Sequence, residues 1–445
     1  MKAEKSRKLA LLLICIMTIT TAACGAGDTT RNLSADVTTS SMCGVGVVDL
    51  ETDLPGVADF YVRLFQNSLR IAEERVNAEN ETASSNASRS EDSEVTGENI
   101  LISPLSVIIA LAMTANGAEE ETLAQMEEVL GMDVDKLNEW LYTYRLSLPD
   151  GTGYHLYPAN SIWFANRDSF NVNQDFLRYN KEYYDADIYK SPFDESTKNE
   201  INHWVDKKTD GMIPEILDEI PEDAVMYLIN ALAFDAKWQS VYEPKYVQAY
   251  GFTREDGENC LVDMMFSEER FYLEDDQAVG FIKPYADGKY AFAALLPNEG
   301  ISVADYVASL DGAHLIKMLS EAEETQVWAG LPAFETEYDV EMSDILKSMG
   351  MTDAFNSEAA DFDSLGTSTK GNIYINRVLH KAYICVDEEG TKAAAATAVE
   401  AMEESGMWMP ADPKEVILDR PFVYMLIDME TKLPFFIGTM VDPEA

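Results

Sequence analysis

Histidine is nearly absent from this chain. His155, His203, His314 and His380 are the four among 445 residues. None lies in an H-E-x-x-H pattern, and there is neither a G-x-S-x-G elbow nor a P-loop. His203 in "INHW" and His380 in "RVLHKAYICV" sit among apolar neighbours, where a lone imidazole is usually a hydrogen-bonded structural group. No catalytic residue is therefore assigned. An exported hydrolase built on dispersed Ser, His and Asp is left without positive support. Basic residues are also scarce, 33 against 79 acidic ones, for a net charge of −46. That balance argues against nucleic acid or an anionic membrane surface as partner, because both reward Lys/Arg patches. The acidic residues are dispersed, as on a solvated surface. Cysteine is limited to Cys15, Cys24, Cys43, Cys260 and Cys385, with no metal-ligand spacing among Cys and His, so neither metal nor cofactor is expected. Cys385, in the strand-like run "AYICV", reads as a buried small hydrophobe. Internal repeats are lacking too. What the chain does have is a 47% hydrophobic composition, ample for a large core.

The N-terminus reads as an address. "MKAEKSRK" is basic, "LALLLICIMTIT" is a short apolar run, and "TAAC" places two alanines before Cys24. This resembles a bacterial lipoprotein signal over 1–23, lipidated at Cys24, although Thr21 departs from the usual aliphatic residue. The alternative is an ordinary secretory signal cleaved near Ala23. Either implies export, to the cell surface or beyond, with membrane contact only through a lipid. Residues 24–55 lack periodicity and read as a tether. "GVGVVD" within it follows no strand and is no phosphate loop.

Apolar spacing in "DFYVRLFQNSLRIAEERV" predicts a helix. The polar stretch 77–98 then reads as a surface insertion. "SPLSVIIALAMTANG" predicts a buried helix, capped by Ser103 and ended by Gly117. "ANSIWFA", "VMYLINALAFDAKW", "YAFAALLP" and "TQVWAGLPAFETEYDV" are strand-like. "KNEINHWVDKKTDG" predicts a helix ending at Gly211, and "FVYMLIDMETKLPFFIGTM" a terminal hairpin turning at Glu430–Lys432. Strands and helices without βαβ rhythm imply an α+β fold with a mostly antiparallel sheet.

From about residue 56 to the end the chain resembles a serpin. The matches run in order: "NILISPLSVIIALAMTANGA" with Ser103, Pro104, Ser106 and Gly117; "INHWVDKKTDGMI"; "INALAFDAKW" with Asn230 and Trp238; "VDMMF"; two Leu-Pro pairs; "HKAYICVDEEGTKAAAATA" with His380; and "DRPFVYMLIDMETKLPFFIGTMVDP". The resemblance implies three β-sheets surrounded by about nine helices with an exposed reactive-centre loop. It implies a sheet-opening region at Ser103, Ser106, Asn230, Trp238 and His380, and a hinge over Glu388, Glu389, Gly390, Thr391, Ala393, Ala394, Ala395, Ala396 and Thr397, within a hinge and loop spanning 388–412. Its function would be inhibition of a serine-type endopeptidase, or a cysteine-type one, by a monomer acting as suicide substrate. The alternative is a non-inhibitory serpin with a binding or chaperone-like role. Where serpins often carry a Lys that pairs with the Glu opening the hinge, this chain has Ala333, which implies a hinge that opens more easily.

The stretch "EEGTKAAAATAVEAMEESG" fits that role physically. A strand in the middle of a sheet sends alternate side chains to opposite faces. With Thr391 inward, the inward set is Thr391, Ala393, Ala395, Thr397, Val399 and Ala401, all uncharged and mostly small. The outward set holds both charges, Lys392 and Glu400. Small side chains also lose little entropy on burial. Propensity alone favours a surface helix here. Glu403 would be the first inward charge, so insertion stops near it. The resemblance, counting from Glu388, puts the scissile bond at Glu404–Ser405, within a possible register of 402–409. Glu404 implies a glutamyl-preferring or elastase-like protease. Met402, Met407 or Trp408 would imply elastase-, chymotrypsin- or subtilisin-like targets.

Overall fold

A computed structural model describes residues 30–33, 48–85, 97–148, 154–167, 169–222, 224–369, 371–391 and 413–444. Cys24, Ala393–Ala396, Thr397, Glu404 and Ser405 lie outside the described residues.

Helix α1 spans Leu50–Ser85 and buries Val57, Phe60, Tyr61, Leu64, Phe65 and Leu69 along one stripe. It begins inside the stretch read as a tether, because the Asp49 carboxylate accepts from the Glu51 N–H at 3.1 Å and caps it. It also runs nine residues into the stretch read as an insertion, to Ser85. Ala and Glu in "NAENETASS" favour the helical backbone there. Helix α2, Pro104–Ala115, is buried nearly all round, with Pro104 in its first turn and the Ser103 hydroxyl accepting from Ser106 N–H at 3.2 Å. Helix α3, Glu195–Lys208, is capped by Asp194, and the chain leaves it through Gly211 at a φ of 80°, a conformation that favours glycine.

The strands of the seven-stranded central sheet are β1 (Arg31–Asn32), β2 (Tyr154–Ala165), β3 (Asp187–Ser191), β4 (Met226–Lys237), β5 (Phe334–Glu341), β6 (Leu379–Val386) and β7 (Gly390–Thr391). Their order is β1-β3-β2-β4-β7-β6-β5, antiparallel except for β2 against β3. Arg31 and Asn32, expected in the tether, form the edge strand. A nine-stranded sheet is organised by the long strand Asn259–Glu274, which pairs with Val247–Thr253, Glu323–Pro332 and Ala278–Pro284. The terminal hairpin, Phe422–Asp428 with Pro434–Met440, completes most of it. A two-stranded sheet joins Phe170–Val172 to Gly366–Ser368. With nine α-helices among the described residues, the architecture is the expected α+β, three-sheet one.

The main core fills the space between the sheets and around α1 and α2. A second cluster lies where Ile201, Trp204 and Val205 of α3 meet Trp163, Tyr227 and Ile229 of the central sheet. Along β6 burial alternates: His380, Ala382, Ile384 and Val386 are buried, while Cys385 is half-buried. The expectation of a buried Cys385 is corrected by its parity, which puts it on the face opposite Ile384.

Candidate functional site

The chain turns sharply after β6. The Asp387 carboxylate accepts from the N–H groups of Glu389 and Gly390, at 2.8 and 3.0 Å, so one side chain closes the turn. β7 then enters between β4 and β6, with Gly390 opposite Lys237, and Thr391 opposite Ala236 on one side and Val386 on the other. Thr391 is 2% exposed. Gly390 is required by close approach: a Cβ there would lie 2.1 Å from the Ala236 carbonyl oxygen and 2.9 Å from Lys237 Cα. β4 and β6 also touch each other directly.

Aromatic residues hold the hinge from above. Trp238 donates its N–H to the Glu389 carbonyl at 2.9 Å and its indole N–H to the Asp387 carbonyl at 2.8 Å. Tyr242 N–H donates to the Glu388 carbonyl at 3.0 Å. The Trp238 ring stacks on Tyr285, with centroids 4.6 Å apart and planes 7° apart. The Tyr285 hydroxyl is hydrogen-bonded to the Thr391 hydroxyl. Burial pushes the Tyr285 phenol well up, so it stays protonated and able to donate. Glu388 and Glu389 are exposed, and among the described residues Glu388 has no ion-pair partner. Ala333, partly buried, offers no charge there. The hinge carbonyls are held instead by Trp238 and Tyr242.

Other expected residues meet lower in the sheet. Ser103 N–H donates to His380 Nε2 at 3.1 Å, tying the start of α2 to β6. Ser103, Ser106 and His380 are all buried. Asn230 is opposite Asn160 in the β2–β4 pairing. Trp238 belongs with the hinge rather than with this group. Tyr242, Tyr285, Lys283 and Glu269 were not expected at all. The signal for the last pair is a lone Lys in the apolar run "AVGFIKPY". Cys260, Asp442 and Glu444 come together elsewhere, but Arg254 pairs with both carboxylates, so the trio is an ion-pair site.

Burial pushes the His380 imidazole down to about 4, so in the fold it is neutral and accepts from Ser103. The unfolded chain takes up a proton below about 6.5. Stability contributed by the neutral ring is therefore present above about pH 6.5 and is lost as pH falls towards about 4, a loss of up to about 3 kcal/mol. Unfolding rates in denaturant should rise over that window, and His380→Gln should flatten the rise. An equal rise in both proteins would remove His380 as its cause.

A short strand entering the middle of a large antiparallel sheet between β4 and β6 is the feature on which the comparisons with known proteins bear. The family model described as Serpin (serine protease inhibitor) matches residues 77–443, and the chain belongs to that family. Neuroserpin of Rattus norvegicus is 28% identical over 365 residues, covering 78% of this chain and 87% of its own. The solved structure of tengpin, a thermophilic serpin, in its native state has a TM-score of 0.80 at 44% identity, covering 93% of this chain and all of its own. Tengpin in its latent state has a TM-score of 0.73 at 44% identity, covering 89% and 98%.

Proposed function

We propose that this serpin inhibits serine-type endopeptidases as a suicide substrate. The observation that carries the reading is Thr391, buried between β4 and β6 as the first inward residue of an added strand. The residues that follow it sort small and uncharged to the inward side. A relative solved in both native and latent states supports a fold with two long-lived arrangements.

The chemistry belongs to the target. Its serine oxygen attacks the carbonyl carbon of Glu404, the bond to the Ser405 nitrogen breaks, and Ser405 becomes a free N-terminus that takes up the proton. An ester joins Glu404 to the protease. Water would normally hydrolyse it. Insertion of the strand behind Thr391 drags the protease from its seat at the loop, and distortion of its active site preserves the ester. The outcome is a race between insertion and hydrolysis.

The test is incubation with elastase-like, glutamyl-specific and subtilisin-like proteases, followed by denaturing gels and mass spectrometry. A covalent complex and a released C-terminal peptide beginning at Ser405 are expected. A peptide beginning at Trp408 or Met409 would shift the bait and point to proteases with deep apolar pockets. Loop cleavage by every protease without any complex would instead support a non-inhibitory serpin.

A further inference from the structure

Lys283 lies in the strand Ala278–Pro284 and is 1% exposed. Its ammonium donates to Glu269 Oε1 at 2.8 Å and to the Ser240 carbonyl at 3.3 Å. It also sits 4.2 Å from the centroid of the Tyr242 ring and 5.3 Å from that of Trp238. Glu269, 7% exposed, accepts a second hydrogen bond from the Ser267 hydroxyl at 2.6 Å. Taking two charges out of water is costly, and a well-packed apolar pair of the same volume is often as stable or more so. Stability alone therefore gives no reason for this pair.

Its connections give one. The pair joins the strands Asn259–Glu274 and Ala278–Pro284 to the segment 238–242 that follows β4. That segment carries Trp238 and Tyr242, whose N–H groups hold the carbonyls of Glu389 and Glu388. A desolvated cation attracts ring faces and fixes their distance from it. Lys283 thus pins the two aromatic residues, and they pin the hinge. A Lys283→Met change keeps both aromatic residues in the chain but removes that restraint.

We infer that Lys283 and Glu269 are positioning residues for strand insertion: they hold the Trp238–Tyr242 platform so that Thr391 stays seated between β4 and β6. A seated Thr391 means insertion begins from a strand already started. The inference rests on the proposed inhibitory reading for its consequence, while the platform itself can be measured without any protease.

The experiment compares the wild type with Lys283→Met/Glu269→Gln, a double variant that leaves no orphan charge, and with Lys283→Arg, which keeps the cation. Amide hydrogen exchange of the uncleaved proteins is followed by mass spectrometry in peptides covering 238–242, 387–391 and, as a remote reference, 290–297. The number of inhibitor molecules consumed per protease inactivated is measured alongside. In the double variant, exchange at 238–242 and 387–391 should rise about tenfold, within the range of a desolvated cation–π contact, with 290–297 unchanged. Inhibitor consumption should rise with it, and Lys283→Arg should stay near wild type in both. Unchanged exchange at the hinge, or an equal rise in all three peptides, overturns the positioning role. A local rise in exchange, in a protein whose wild type inactivates no protease, supports the platform and overturns only the inhibitory reading.

Discussion

Thr391→Arg should turn the inhibitor into an ordinary substrate. Thr391 is buried between two strands and bonded to the Tyr285 hydroxyl, so an arginine there meets apolar neighbours and no carboxylate partner. Leaving a buried charge unpaired costs about 3–5 kcal/mol. Spent against insertion, that slows the step by more than about a hundredfold, while the bait stays open to attack. Hydrolysis of the ester then wins. Lys392→Arg, one residue on and outward by parity, is the matched control and should inhibit nearly as the wild type does. The measurement is the number of inhibitor molecules consumed per protease inactivated, with the covalent complex followed on denaturing gels. A wild-type ratio for Thr391→Arg would mean that the inward register or the insertion step is wrong.

Gly390→Val should have a comparable effect by a different route. The new Cβ would press on the Ala236 carbonyl and on Lys237 Cα, both backbone atoms with little room to give. The cheapest relief is withdrawal of β7 from the sheet. The three carbonyl contacts to Trp238 and Tyr242 loosen, and the Tyr285–Thr391 hydrogen bond is lost. Trp238, 2% exposed in the native hinge, should gain access to water. A red-shifted tryptophan emission and a raised inhibitor consumption are expected together. Emission and consumption both at wild-type values would show that the hinge tolerates a side chain at this position and that the close approach does not govern seating.

Much of this was legible in the chain itself, for identifiable reasons. The burial of Thr391 agrees with the sequence reading, in which a strand in a sheet interior has a strict period of two and "TKAAAATAVEAM" keeps its charges on one parity. The buried helix at Pro104–Ala115 carried its own cap and first-turn proline. Boundaries were less legible. α1 begins at Leu50 because of a cap at Asp49 that precedes any apolar spacing, and it continues to Ser85 on propensity alone. Beyond Val76 the sequence "NAENETASS" carries no large apolar residue, so hydrophobic pattern could not reveal that part of the helix. Cys385 was misread because a run of apolar residues hides which face each one takes. The platform above the hinge was invisible for another reason. Trp238 and Tyr242 come from one segment, Glu269 and Lys283 from two strands of the other large sheet, and the contacts between the aromatic pair and the ion pair exist only in the folded tertiary structure. Ala333 did flag a missing charge, but the hydrogen bonds from Trp238 and Tyr242 to the hinge carbonyls left no mark in the sequence.

Thermal unfolding before and after a single cut in the loop tests the insertion mechanism most directly, and it needs no knowledge of the natural target. Among the described residues of the uncleaved chain, Gly390 and Thr391 are the ones that pair between β4 and β6. Cutting within 402–409 frees the rest of the segment to complete that strand. The cleaved protein should then melt several degrees above the uncleaved one, because in a chain of this length each kcal/mol of new sheet pairing moves the midpoint by about 1 °C. A cleaved protein that melts at the same temperature as the intact one, or below it, would contradict insertion, and with it the proposed mode of inhibition.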